Sequence, residues 1–217
     1  ISFSNMIKEK YLVDSSDWNN IKSIDSSYGH AAILHNEKVY IIGGSTNNVT
    51  INTVQVYDIS SGILSVRKSL PMPIHWHSAK VVSDNLFVIG GHRAGGSQST
   101  FRYNFTNDKW DEKSPLNVAR NSFKLDIYEG RIWVTGGISN GNALNSVESY
   151  DLTDDKWHIE SRLSVAREFH SSWVYKNRLF VAGGRNGNQT IDSIECYDPN
   201  TKTWYEWGKL PYSFHYA

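Results

Sequence analysis

Residues 132–157 read IWVTGGISNGNALNSVESYDLTDDKW. A run rich in β-branched and aromatic residues stops at Gly136-Gly137, an alternating segment ends at Tyr150, and Trp157 follows seven residues later. Short runs of this composition, stopped by glycine, read as buried β-strands. Working outward, the same signature recurs. Glycine pairs stand at Gly43-Gly44, Gly90-Gly91, Gly136-Gly137 and Gly183-Gly184, spaced by 47, 46 and 47 residues. Tyr57, Tyr103, Tyr150 and Tyr197 keep step with them, and seven residues beyond each tyrosine comes Leu64, Trp110, Trp157 or Trp204. A third marker, His30, His77, Phe123 and His170, lies 13 residues before the first glycine of each pair.

Three markers locked to one period define a repeat, and a repeat decides the architecture. Each unit reads as four short strands. The first carries the His/Phe marker, the second ends at Gly-Gly, the third ends at Tyr and the fourth starts near Trp. Four-stranded units with a period of about 46 residues predict the blades of an all-β propeller. The units fall at roughly 23–68, 69–114, 115–161 and 162–208, with partial units at 1–22 and 209–217, all within one domain. The partial units predict one blade shared by the two termini, giving four complete blades and five in all. A domain cut short at its C-terminus would have six.

Composition narrows the chemistry. The 217 residues carry 22 basic and 22 acidic side chains. Nucleic acid and anionic membrane, which need a basic excess, are not expected partners. No apolar stretch approaches the ~20 residues of a spanning helix. The single cysteine, Cys196, permits no internal disulfide, which points to the cytoplasm or nucleus. The Asn-x-Ser/Thr triplets at Asn48, Asn104 and Asn188 are what chance gives in a chain this rich in Asn, Ser and Thr. The chain begins mid-pattern at Ile1, as expected of a piece of a longer protein.

The segments Val134–Gly137, Val147–Asp151 with Trp157, and Ile194–Pro199 with Trp204 closely resemble the Kelch repeat. The resemblance covers essentially the whole chain and is nearest to the Kelch part of BTB–BACK–Kelch proteins. Its worn repeats and Asn/Ile-rich composition are also similar to poxviral Kelch proteins. It departs from the pattern at Leu64 and at Phe101-Arg102-Tyr103-Asn104. The resemblance implies a protein-binding module, a substrate adaptor that reaches a cullin-3 ubiquitin ligase through a BTB part absent from this chain. The alternative is a scaffold that competes for a host or actin-associated protein without delivering it for degradation.

The resemblance also implies where a protein or peptide ligand binds: the face formed by the loops between second and third strands and the loops leading into each first strand. The arginine after the Leu-x-x-Ala turn, Arg120 and Arg167 here, matches a position that often contacts acidic peptides in the family. Ser27, Ile74 and Phe214 replace it in the other units, so the ring is only partly cationic. His75, Trp76, Asn121, Glu168, Phe169, His92, Arg93, Arg185 and Asn186 complete the expected partner face.

Enzyme readings fare poorly. His75 and His77 would share one face of an extended strand, but two ligands are too few for a metal site, and His77 is a repeat marker. Copper-radical oxidases of similar fold need a Cys–Tyr cross-link, and Cys196 sits beside Tyr197, whose side chain points to the other face of a strand. No Gly-x-Ser-x-Gly, Walker loop or His-Glu-x-x-His motif occurs. No catalytic residue, metal or cofactor is therefore expected.

Overall fold

The computed structural model describes residues 27–92 and 97–213. These form four antiparallel four-stranded sheets with no helix among the described residues. The first sheet comprises Ala31–His35, Lys38–Ile42, Val54–Asp58 and Ile63–Arg67. The second comprises Ser78–Val82, Asn85–Ile89, Thr100–Asn104 and Lys109–Lys113. The third comprises Lys124–Tyr128, Arg131–Thr135, Val147–Asp151 and Lys156–Glu160, and the fourth Ser171–Tyr175, Arg178–Ala182, Ser193–Asp198 and Thr203–Lys209. Strand order within each sheet follows chain order. Each expected complete unit is thus one sheet. The shared blade expected from the termini falls on residues 1–26 and 214–217, outside the described residues.

The first strands pack side by side from sheet to sheet, Ala31–His35 on Ser78–Val82, that strand on Lys124–Tyr128, and the latter on Ser171–Tyr175. The sheets therefore radiate from a common axis as propeller blades, with their first strands innermost. The second strands are buried on both faces: Val39–Ile42, Leu86–Ile89, Ile132–Thr135 and Leu179–Ala182. A strand covered by a blade on each side loses the apolar–polar alternation of a half-buried strand, which is why these runs are continuously apolar. The apolar clusters lie between blades. Tyr40, Ile42, Val54 and Val56 pack on Leu86, Val88, Phe101 and Tyr103, and Tyr128, Trp133 and Val147 pack on Leu179, Val181 and Tyr197.

The repeat markers are the inter-blade fastenings. The indole N–H groups of Trp110, Trp157 and Trp204 donate to the carbonyls of Lys68, Ser114 and Ser161, each at the end of the preceding blade, at 2.8, 3.0 and 3.1 Å. The second glycine of a pair donates its N–H to the chain entering the next blade: Gly44 to Ile74, Gly91 to Arg120 and Gly137 to Arg167, at 2.9, 2.8 and 2.8 Å. The first glycine has no room for a side chain. At Gly136 (φ 57°) a Cβ would meet the Arg167 carbonyl oxygen and stand 2.9 Å from His170 Cε1. The marker rings His77, Phe123 and His170 occupy that crowded space and are buried.

A candidate partner-binding face

In each blade the residue after the glycine pair bridges back to the residue two before the His/Phe marker. Four such pairs result: Tyr28 with Ser45, His75 with His92, Asn121 with Ile138, and Glu168 with Arg185. Between this residue and the marker stands a residue in the left-handed region: Gly29 (φ 65°), Trp76 (55°), Ser122 (54°) and Phe169 (51°). Their backbones hydrogen-bond in series about the axis. The N–H of Trp76 donates to the Gly29 carbonyl at 2.7 Å, Ser122 to Trp76 at 3.2 Å, and Phe169 to Ser122 at 3.0 Å. The fold thus requires this backbone conformation once per blade, and Gly29 adopts it at no steric cost. A bulky side chain there costs about 1–2 kcal/mol. Among the described residues Trp76 and Phe169 are the only aromatic ones with positive φ.

The two rings meet edge to face with centroids 5.8 Å apart. They border a cleft of about 360 Å³ lined also by His75, His92, Asn121, Ile138, Glu168 and Arg185. Two parts of its wall are fixed by side-chain contacts. Arg185 Nε donates to Glu168 Oε1 at 3.0 Å, and the guanidinium lies over the Phe169 ring, 5.1 Å from its centroid. The His75 and His92 rings stand edge to face at 5.0 Å, and Thr50 Oγ1 lies 3.1 Å from His75 Nδ1. Partial burial, together with the neighbouring His92, holds the His75 pKa below that of a free imidazole. Trp76 and Phe169 remain part-exposed. The arrangement offers an aromatic notch with amide, imidazole and one guanidinium group at its edges.

Most of the expected face is therefore gathered here: His75, Trp76, His92, Asn121, Glu168, Phe169 and Arg185. Asn186 is exposed on the adjoining hairpin, and Arg93 lies outside the described residues. Two expectations need correction. Arg120 and Arg167 are fully buried and do not reach the face. Arg120 Nη1 donates to the carbonyls of Gly136 and Ser146 at 2.9 and 3.1 Å, and Nη2 to Glu148 Oε1 at 2.6 Å. Arg167 repeats this with Gly183, Ser193 and Glu195 at 2.9, 3.2 and 2.6 Å. Each arginine fastens the chain entering its blade to the second and third strands of that blade, because a buried guanidinium needs its donors satisfied. The second correction concerns His75 and His77. The left-handed turn at Trp76 breaks the strand, so His75 lines the cleft while His77 is buried beneath Gly43.

Ser122, Ile138, Asn140 and Gly141 also line the cleft; the last three lie in an expected face loop, 138–146, without being singled out as site residues. Two of them were within reach of the repeat: Ser122 is in register with Trp76 and Phe169, and Ile138 with His92 and Arg185. The face hairpins are also more ordered than loops, with two-stranded ladders at Ser45–Thr46 with Val49–Thr50, Ile138–Ser139 with Asn142–Ala143, and Arg185–Asn186 with Gln189–Thr190.

Radiating four-stranded blades, fastened by glycine pairs and tryptophans at a fixed period, define a Kelch propeller. The profile of the KLHDC2/KLHL20/DRC7 Kelch-repeats domain matches residues 29–211, and the chain belongs to that family. Among curated relatives it is 30% identical over 107 residues to Kelch-like protein 41a of Danio rerio, covering 48% of this chain and 18% of that one. It is 27% identical over 153 residues to the Kelch repeat and BTB domain-containing protein 12 of Homo sapiens, covering 59% of this chain and 25% of that one. The matches thus span a quarter or less of these relatives' length. Among solved structures, that of YjhT superimposes with a TM-score of 0.74 at 12% identity, covering 90% of this chain and 69% of that one, a likeness of fold.

Proposed function

We propose that this domain is the partner-recognition part of a Kelch-like adaptor. It holds a segment of another protein on the face around Trp76 and Phe169. The kinship to Kelch-like and BTB–Kelch proteins supports this reading. The finer reading, that the captured protein is presented to a cullin-3 ubiquitin ligase through a BTB region of a longer protein, follows from the family resemblance.

One observation carries the proposal. The fold demands a left-handed backbone at four equivalent positions and is content with glycine or serine there, at Gly29 and Ser122. Two of the four instead carry large aromatic side chains, part-exposed at the rim of one cleft. Strained residues that the scaffold does not need as such mark functional sites, and part-exposed tryptophan and phenylalanine on a polar rim are the anchors of interfaces.

The test is affinity capture from lysate with the wild-type domain and a Trp76→Ser, Phe169→Ser double variant, read by mass spectrometry. Proteins captured by the first and lost by the second are the expected result; equal capture by both would sink the site. For the ligase role, the full-length protein should bring down cullin-3, and depleting cullin-3 should raise the level of the captured partner.

A further inference from the structure

Among the described residues the face carries little charge. Its three described hairpins read STNNVT (45–50), ISNGNA (138–143) and RNGNQT (185–190), and Arg185 is the one charged residue in them. That guanidinium is engaged by Glu168 and lies on Phe169. The two arginines that the family resemblance would aim at an acidic ligand are instead sealed against Glu148 and Glu195.

In a four-stranded antiparallel meander, the turns joining strands one to two and three to four lie at the other ends of the strands from these hairpins. Part-exposed ion pairs stand at those ends. Lys38 pairs with Asp58 at 2.6 Å and Arg131 with Asp151 at 2.8 Å. The chain is neutral overall, and the charges that line the cleft, Glu168 and Arg185, neutralise each other.

Resting on the reading of this face as the binding site, we propose that the cleft takes an uncharged peptide segment. One aliphatic or aromatic side chain of that segment enters beside Trp76 and Phe169. The exposed amides of Asn140 and Asn186 pair with its backbone. An acidic motif needs a cluster of arginine forks, which the described part of this face does not offer. Asparagine side chains both donate and accept, so they suit a peptide backbone and carry no preference of charge.

The experiment pans a random peptide library displayed on phage against the purified chain and measures the enriched peptides by fluorescence anisotropy. Binding is compared at about 50 mM and about 500 mM NaCl, a range over which screening removes most of the attraction between exposed charges. Enriched peptides are expected to share an apolar residue, to carry little net charge and to lose less than about threefold in affinity across that range. Arg93→Ala should leave them bound. Acidic peptides whose affinity falls tenfold or more with salt, or that Arg93→Ala releases, would overturn the proposal while leaving the site intact. Neutral peptides that bind Trp76→Ser and Phe169→Ser variants of unchanged thermal stability as well as the wild type would overturn the site reading instead. Serine occupies the same backbone position at Ser122, so these variants are expected to fold. A library that yields no binder counts against the proposal too.

Discussion

Arg120 Nη2 lies 2.6 Å from Glu148 Oε1, and both side chains are sealed from solvent, with 0% and 1% of their surface exposed. The carboxylate does double duty, accepting the backbone N–H of Asn117 at 2.7 Å and of Val118 at 3.1 Å. The pair thus ties the chain that enters the third blade to the middle of that blade. Removing one partner strands the other as a buried charge, which costs about 3–5 kcal/mol. Arg120→Ala and Glu148→Ala should each lower the unfolding free energy by that amount, read from urea denaturation. The second blade shows the remedy. At the equivalent positions it has Ile74 and Phe101, both buried in one apolar cluster. An Arg120→Ile, Glu148→Phe double variant should recover most of the loss, because replacing a buried ion pair by packed apolar groups is often close to neutral. A double variant no more stable than either single change would show that the loop needs the pair itself.

The glycine pairs allow a sharper test of crowding against backbone strain. Gly136 and Gly141 both have positive φ, 57° and 80°. A Cβ at Gly141 meets nothing within 4 Å, whereas at Gly136 it runs into the Arg167 carbonyl and the His170 ring. Gly141→Ala should cost only the left-handed penalty, about 1–2 kcal/mol. Gly136→Ala should cost that and more, about 3 kcal/mol or above, because backbone of the next blade must move. Equal losses in the two variants, measured by chemical denaturation, would mean that blades do not pack as closely as their glycines indicate.

Trp157 makes a third case. Its indole N–H reaches both Ser114 O at 3.0 Å and Thr100 Oγ1 at 3.1 Å. Trp157→Phe keeps an aromatic ring and removes the donor, so about 1–3 kcal/mol should be lost, the usual cost of an unmatched buried polar group. A loss of stability well below that range would assign the tryptophan to ring packing alone.

The blades were legible in the sequence because each marker has a local cause. Glycine alone fits the crowded positive-φ site before the next blade, and tryptophan alone spans to the preceding blade and still donates. The direction of Arg120 and Arg167 was not legible from their own loops. Both lie where a solvated arginine would, and only the partner decides which way the side chain turns. A signal existed at longer range: Glu148 and Glu195 each stand 28 residues beyond their arginine, and where isoleucine replaces arginine the glutamate becomes Phe101. The left-handed turn at Trp76 and Phe169 runs against the propensity of aromatic residues, so no local rule finds it. Register with Gly29 does.

The buried histidines make the fold sensitive to mild acid. Burial pushes the pKa of His77 down from 6.5 to about 3, with the nearby His30 and His75 adding to the effect. His170 is likewise held well below 6.5, first by burial and then by Arg167 and Lys124. Both rings are thus neutral in the folded protein. In the unfolded chain they take up a proton near pH 6.5, so the unfolded state binds more protons between pH 6.5 and about 3. Stability is therefore full above pH 6.5 and drains away as the pH falls below it. A tenfold difference in proton affinity between the folded and unfolded chain is worth about 1.4 kcal/mol. Carboxylates with lowered pKa, such as Asp58 held down by Lys38 and Ser60, act below their ordinary 3.8 and so come into play later in the acid range. Phe123 occupies the marker position in the third blade, so a phenyl ring is tolerated in this setting. A His77→Phe, His170→Phe double variant should lose far less unfolding free energy from pH 7 to about 5 than the wild type, which loses several kcal/mol; the remainder comes from groups such as the part-buried His75. Parallel losses in the two proteins would assign the acid sensitivity to other groups.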